Sequence, residues 1–148
     1  MDLRHDMLTH GVNVVTSAHE GRRGGFACAW ATQMGTKRVV ICAGEQSTTR
    51  EMILSSGSFG LNVLADDQVE LARAFGSRSS SSVDKFEHVP YHVAETGSPL
   101  LNDCLISLDC RVEMVHDHGH IAIIVGKIVA AERRRDESER LVYREEDY

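Results

Sequence analysis

Apolar and polar positions alternate in short stretches along this chain, the two-residue period of half-buried strands. Residues 12–17, VNVVTS, are β-branched and predict a strand. AHEGRRGG is a polar, glycine-rich turn, and a second strand is expected from Phe26 to about Met34. GTK reads as a short turn and RVVICAG as a buried third strand, so the first third of the chain is a meander. STTREMILSSGS changes the period. Ser47 is placed to cap a helix, Met52 and Ile53 share one side, and Gly57 is a stop signal, which predicts a short helix. FGLNVLA returns to strand. DDQVELARAFG spaces Val69, Leu71, Ala72 and Phe75 helically between an acidic start and Gly76.

SRSSSSVDKF is low in complexity and reads as a loop. HVPYHVAETGSPLL is irregular, with one short strand and a turn expected. CLISLDCRVEMVHD sets Leu105, Ser107 and Asp109 against Ile106, Leu108 and Cys110, and HIAIIVGKIVAAE is a second long strand interrupted by Gly126. ERRRDESER is charged throughout, and LVYREEDY closes the sequence. There is no internal repeat and no boundary, so one domain over residues 1–148 is expected. Six or more strands against two short helices predict a mainly β fold: an antiparallel, closed or partly closed barrel with short helices covering an opening.

Composition narrows the function classes. The chain is 42% hydrophobic and 26% charged, as in an ordinary soluble domain. Its formal net charge of −6 argues against nucleic-acid binding through a general basic field. No apolar run is long enough to span a bilayer, and MDLRHDMLTHG is too polar for a signal peptide, so no membrane association and a cytoplasmic location are expected. The four cysteines, Cys28, Cys42, Cys104 and Cys110, lack a C-x-x-C arrangement, which favours reduced thiols over disulfides or a structural zinc.

Four stretches offer chemistry. ACAWATQ, residues 27–33, is unusually small for a core strand, around the only tryptophan. Either a flat ligand lies against its backbone, or a neighbouring element crowds it. GEQSTTR puts Ser47, Thr48 and Thr49 at a helix start, where unpaired N–H groups and the dipole attract an anion; plain capping accounts for one of the three hydroxyls. Arg50 adds a charge. Arg78, Lys85 and the serines of the later loop suit a phosphate, and equally a solvated loop. HDHGH gathers His116, His118 and His120 as a polar hairpin tip, one functional histidine or, less readily, a metal site; no metal centre is expected. No catalytic triad, Walker, zincin or Rossmann pattern is present, which points to a cofactor that carries its own chemistry.

In order, GVNVVTSAHEGRRGGFACAWATQ, TTREMILSSGSFGLNVLA, FGSRSSSSVDKF and GSPLLNDCLISLDCRVEMVHDHGHIAIIVGKIVAAE resemble the flavin reductase-like family of FMN-binding split barrels. The resemblance spans about residues 8–148. It is nearest in flavour to flavoredoxins, ferric reductases and the reductase domains of diflavin proteins. It implies an antiparallel split β-barrel, homodimeric, holding FMN (or FAD) and taking hydride from NAD(P)H. Electrons would pass to free flavin, a partner oxygenase, ferric iron or an electron-transfer protein. A non-catalytic FMN carrier and a flavin-less binding barrel are the alternatives. The strand Cys28, Ala29, Trp30, Ala31, Thr32 and Gln33 would run beside the isoalloxazine, with Cys42 and Glu45 near the ring or ribityl chain. Ser47, Thr48 and Thr49 would hold the phosphate, with Lys85 and Phe86 approaching, and His120 would lie near the nicotinamide. Glu45 stands where an asparagine is common, and GTKRV where many relatives carry Pro-Pro.

Overall fold

A computed structural model of the chain describes residues 1–45, 47–76 and 84–148. The described residues form strands β1 (Asn13–His19), β2 (Arg22–Cys28), β3 (Ala31–Met34) and β4 (Arg38–Gly44), helix α1 (Thr48–Ser56), β5 (Ser58–Val63) and helix α2 (Val69–Gly76). The short strands β6 (Tyr91–His92) and β7 (Leu100–Leu101) follow, then the long hairpin β8 (Ile106–Asp117) and β9 (Ile121–Arg133), and a 3₁₀ turn over Glu145–Asp147. Of the low-complexity loop, residues 77–83, Arg78 among them, lie outside the described part.

The local signals act where they stand. Ser47 has extended backbone and its hydroxyl accepts from Arg50 N, capping α1. Gly57 ends the helix at φ 75°, its N–H donating to Ile53 O. Glu20 and Gly21, both at positive φ, close β1 onto β2 with a two-residue turn.

Seven strands form one antiparallel sheet in the order β2-β1-β5-β8-β9-β4-β3; β6 and β7 pair separately. Of the closed or partly closed barrel expected, the antiparallel sheet is present and is not closed: no hydrogen-bonded ladder joins the two edges among the described residues. The expected single strand from Phe26 to Met34 is corrected. It is two strands, broken at Ala29–Trp30, and they occupy opposite edges of the sheet. Both halves are extended, so periodicity carries no mark of the change of neighbour.

That break fixes the shape. Seven strands laid flat would separate the edges by about 29 Å. Three residue steps, Cys28 to Ala31, reach at most about 11 Å. The sheet therefore curls until its edges meet at Ala29–Trp30. The concave side encloses Val15, Cys28, Val39, Ile41, Phe59, Leu61 and Ile124, with Ile53 of α1 as a plug. Val12 and Val14 face the other way and pack with Leu64, Phe75 of α2, Phe86, Leu101 and Leu141. The alternation Val14 out, Val15 in is the strand period made visible.

Buried polar side chains stitch the irregular 95–101 segment to the sheet. Asp109 is fully buried and accepts from Glu95 N at 2.8 Å, Thr96 N at 2.9 Å and the Thr96 hydroxyl. Asn62 donates to Val14 O and accepts from Leu101 N, both at 2.9 Å. Each buried polar group here has its partner, as burial demands.

Candidate functional site

The small-residue stretch lies at the meeting of the two sheet edges. Asn13 Nδ2 donates to Cys28 O at 3.1 Å, and Cys42 N donates to Trp30 O at 2.9 Å, so both sides of the break are anchored. A cavity of about 290 Å³ opens beside it, lined by His5, Phe26–Trp30, Cys42 and Tyr143. Ala31, Thr32 and Gln33 continue along β3, an edge strand whose outer row of N–H and C=O groups has no ladder partner among the described residues. Thr32 and Gln33 are exposed and border a second, larger opening at one end of the curled sheet. This stretch can meet a flat ring with backbone groups and with the half-exposed Trp30.

Burial, with Cys42 nearby, pushes the Cys28 thiol up to about 12, and burial raises Cys42 as well, so the thiolate form is disfavoured at both.

The start of α1 divides its three hydroxyls. Ser47 caps the helix, and Thr49 is buried. Thr48 Oγ1 is buried with no hydrogen-bond partner among the described residues. Arg50 is 9% exposed; one terminal nitrogen donates to Asp117 Oδ1 at 3.3 Å, and the other, Nη1, is buried with no partner among the described residues. Two such donors beside a helix N-terminus could receive an anion, because an unpaired buried donor costs free energy.

Glu45 follows β4 directly and pairs with His120 across the sheet. Its N–H donates to His120 O at 2.9 Å, and its carboxylate accepts from His120 Nδ1 at 2.6 Å. Its acidic group is thus turned to an imidazole. Gly119, at φ 79°, makes the β8–β9 turn, and its N–H donates to Asp117 Oδ1. His116 and His118 stack on each other at 5.9 Å, apart from this pair.

Lys85 and Phe86 take their contacts from β2, α2 and Tyr91 rather than from Ser47–Thr49. Lys85 Nζ donates to Gly25 O at 3.0 Å and Phe75 O at 2.7 Å, and burial lowers its pKa. Phe86 packs edge-on between Phe75 and Tyr91 in the outer core. Sequence reasoning missed His5, Tyr143 and Asn13. The first two are brought to Trp30 by the chain's two ends, and only the fold reveals that proximity.

The model of the family described as flavin reductase like domain matches residues 3–148. The chain is 34% identical over 136 residues to the reductase subunit HsaB of a flavin-dependent monooxygenase from Rhodococcus jostii, covering 90% of this chain and 68% of that one. Reductase subunits of the same name from Mycobacterium tuberculosis are 32% identical over 120 residues, and this chain spans 63% of their length. It is 30% identical over 143 residues to an FMN reductase (NADH), RutF 2, of Rhizobium rhizogenes, covering 95% and 82%. Among solved structures, the NADH:FAD oxidoreductase SgcE6 of Streptomyces globisporus superposes with a TM-score of 0.83 at 25% identity, covering 92% of this chain and 81% of that one. With a match over nearly its full length and this antiparallel curled sheet, the chain belongs to the flavin reductase-like domain family.

Proposed function

We propose that this chain, as one domain over residues 1–148, is an FMN-binding, NAD(P)H-dependent flavin reductase. The observation that carries the reading is the pair of orphaned donors, Thr48 Oγ1 and Arg50 Nη1, at the start of α1. They fit a phosphate, and the shallow cavity along Phe26–Trp30 fits a planar ring. FAD fits the same two features and is the alternative flavin. Thr48, Arg50 and the Phe26–Trp30 stretch would hold the flavin, which would supply hydride acceptance and onward electron transfer.

The residues bind and orient. Thr48, Arg50 and the helix N–H groups neutralise the phosphate. Cys28 to Gln33 present backbone and small side chains to the ring, and Trp30 offers an aromatic face. His120 orients the nicotinamide, since hydride transfer needs no protein base in that step. The electron acceptor is free flavin, an oxygenase partner, ferric iron or an electron-transfer protein; the reductase-subunit relatives favour the oxygenase. A second copy of the chain completes the split barrel as a homodimer. Four free thiols suit the reducing cytoplasm, and no helix among the described residues is long and apolar enough to cross a membrane.

Anaerobic stopped-flow mixing of the FMN-loaded protein with NADH tests the reading. Flavin absorbance should bleach rapidly in the wild type. In His120→Ala it should bleach at least about tenfold more slowly, with FMN affinity and dithionite reduction unchanged. Tight FMN binding with no reduction by NADH or NADPH would make the chain an electron carrier. Failure to bind flavin would make it a binding barrel.

A further inference from the structure

We propose that Glu45 is a positioning residue: it fixes the His120 imidazole as the Nδ1–H tautomer and so aims the Nε2 lone pair at the carboxamide NH₂ of the incoming dihydronicotinamide. The ligand's identity rests on the reductase reading above; the tautomer rests on geometry alone. Gly44 pairs with Ile121 at the end of the β4–β9 ladder, and Glu45 and His120 extend that pairing by one position. The backbone bond from Glu45 N to His120 O, at 2.9 Å, holds the two Cα atoms opposite each other. On that fixed base the carboxylate takes Nδ1 at 2.6 Å. A carboxylate only accepts, so the neutral ring carries its proton on Nδ1 and leaves Nε2 as an acceptor.

Among the described residues, the neighbouring groups have other partners. Asp117 is occupied by Gly119 N and Arg50 Nη2, and His116 and His118 stack on one another. His120 is 91% exposed at its side chain, so without Glu45 the ring would rotate freely. An exposed pair of this kind adds little to stability. Its consequence is direction: free histidine favours the opposite tautomer, which would present a donor to a donor. The placement also ties the two ends of the site together. Glu45 holds His120, Thr48 and Arg50 carry the two buried donors a few positions on, and Arg50 reaches Asp117 of the same hairpin.

Two measurements on the FMN-loaded protein decide it. Long-range ¹⁵N–¹H spectra at about pH 9, above the ordinary imidazole range, with the signal assigned by its loss in His120→Ala, should show Nδ1 protonated and Nε2 bare. Glu45→Ala should return the ring to Nε2–H. In steady-state turnover, Glu45→Ala should raise the KM for NADH about five- to tenfold with kcat altered less than about twofold, the effect of one lost ground-state hydrogen bond. Glu45→Gln, which keeps an accepting oxygen, should restore both tautomer and KM. Glu45→Ala added to His120→Ala should do nothing further. An Nε2–H ring in the wild type, an unchanged KM in Glu45→Ala, or no rescue by Gln would each overturn the inference while leaving the reductase reading intact. Unchanged NADH handling in His120→Ala would overturn the inference by removing His120 from the site, whereas a wild type that NADH and NADPH fail to reduce would overturn the reductase reading itself.

Discussion

At the residue scale, the site's chemistry lies in what its side chains lack. Thr48 Oγ1 and Arg50 Nη1 are buried without partners among the described residues, a cost that the proposed phosphate would relieve. FMN should therefore bind more tightly than riboflavin, and Thr48→Val should erase part of that margin. Loss of one charge-assisted hydrogen bond, about 1.5–3 kcal/mol, should weaken FMN roughly 10- to 100-fold and leave riboflavin unchanged. Calorimetry with both ligands checks this; equal affinities in the wild type would remove the phosphate from the site. The frame of this helix start was legible in the sequence. Three hydroxyls at a helix start exceed what capping needs, and the cap at Ser47 and stop at Gly57 stand as read. The fates of Glu45 and Lys85 were not legible. Their partners are His120, 75 positions away, and the carbonyls of Gly25 and Phe75. Pairings set by tertiary approach leave no local pattern.

At the element scale, close packing of β9 and β5 sets the tolerance of the sheet. A Cβ on Gly126 would lie 2.5 Å and 2.6 Å from two ring carbons of Phe59. One on Gly60 would lie 2.8 Å from the carbonyl oxygen of Pro99, a backbone atom with little freedom. Gly126→Ala and Gly60→Ala should each cost about 1–3 kcal/mol by overpacking, read as a lower denaturation midpoint. Gly44→Ala meets nothing within 4 Å and should stay within about 0.5 kcal/mol of wild type. The strands were readable from β-branched runs such as residues 12–17 and from the alternation of Leu105, Ser107 and Asp109 with Ile106, Leu108 and Cys110. The break at Ala29–Trp30 was not, since an extended chain that changes partners stays extended. The pairing of β6 with β7 escaped for a related reason: two-residue strands are too short to show a period.

At the scale of the whole molecule, the chain's ends close over the site. Arg4 pairs with Asp6 and Glu146, His5 with Glu145, and Asp6 accepts from Glu145 N, while the His5 ring lies 5.9 Å from Trp30. The Arg4 hydrogen bond holds the Asp6 carboxyl well below its usual range, and the His5 hydrogen bond lowers Glu145. Both folded values lie below the unfolded ones. Their contribution is thus complete above about pH 4.5 and fades as pH falls through the carboxylate range. Fluorescence of Trp30, the sole tryptophan, should shift over that window in flavin-free protein. In the Asp6→Asn, Glu145→Gln variant it should stay flat; a shift of equal size there would detach Trp30 from the two ends. The proposed dimer should sediment at twice the 16.4 kDa chain mass. A flavin-loaded monomer would remove the second copy from the site. The two-residue link between β2 and β3 has its own consequence, because it sets curvature through sequence proximity. Inserting four glycines after Ala29 would spare every ladder, yet release the constraint that draws the edges together. Such a chain should keep its far-ultraviolet spectrum, lose flavin and self-associate through two freed edges. The barrel's roundness would then prove separable from its strand pairing.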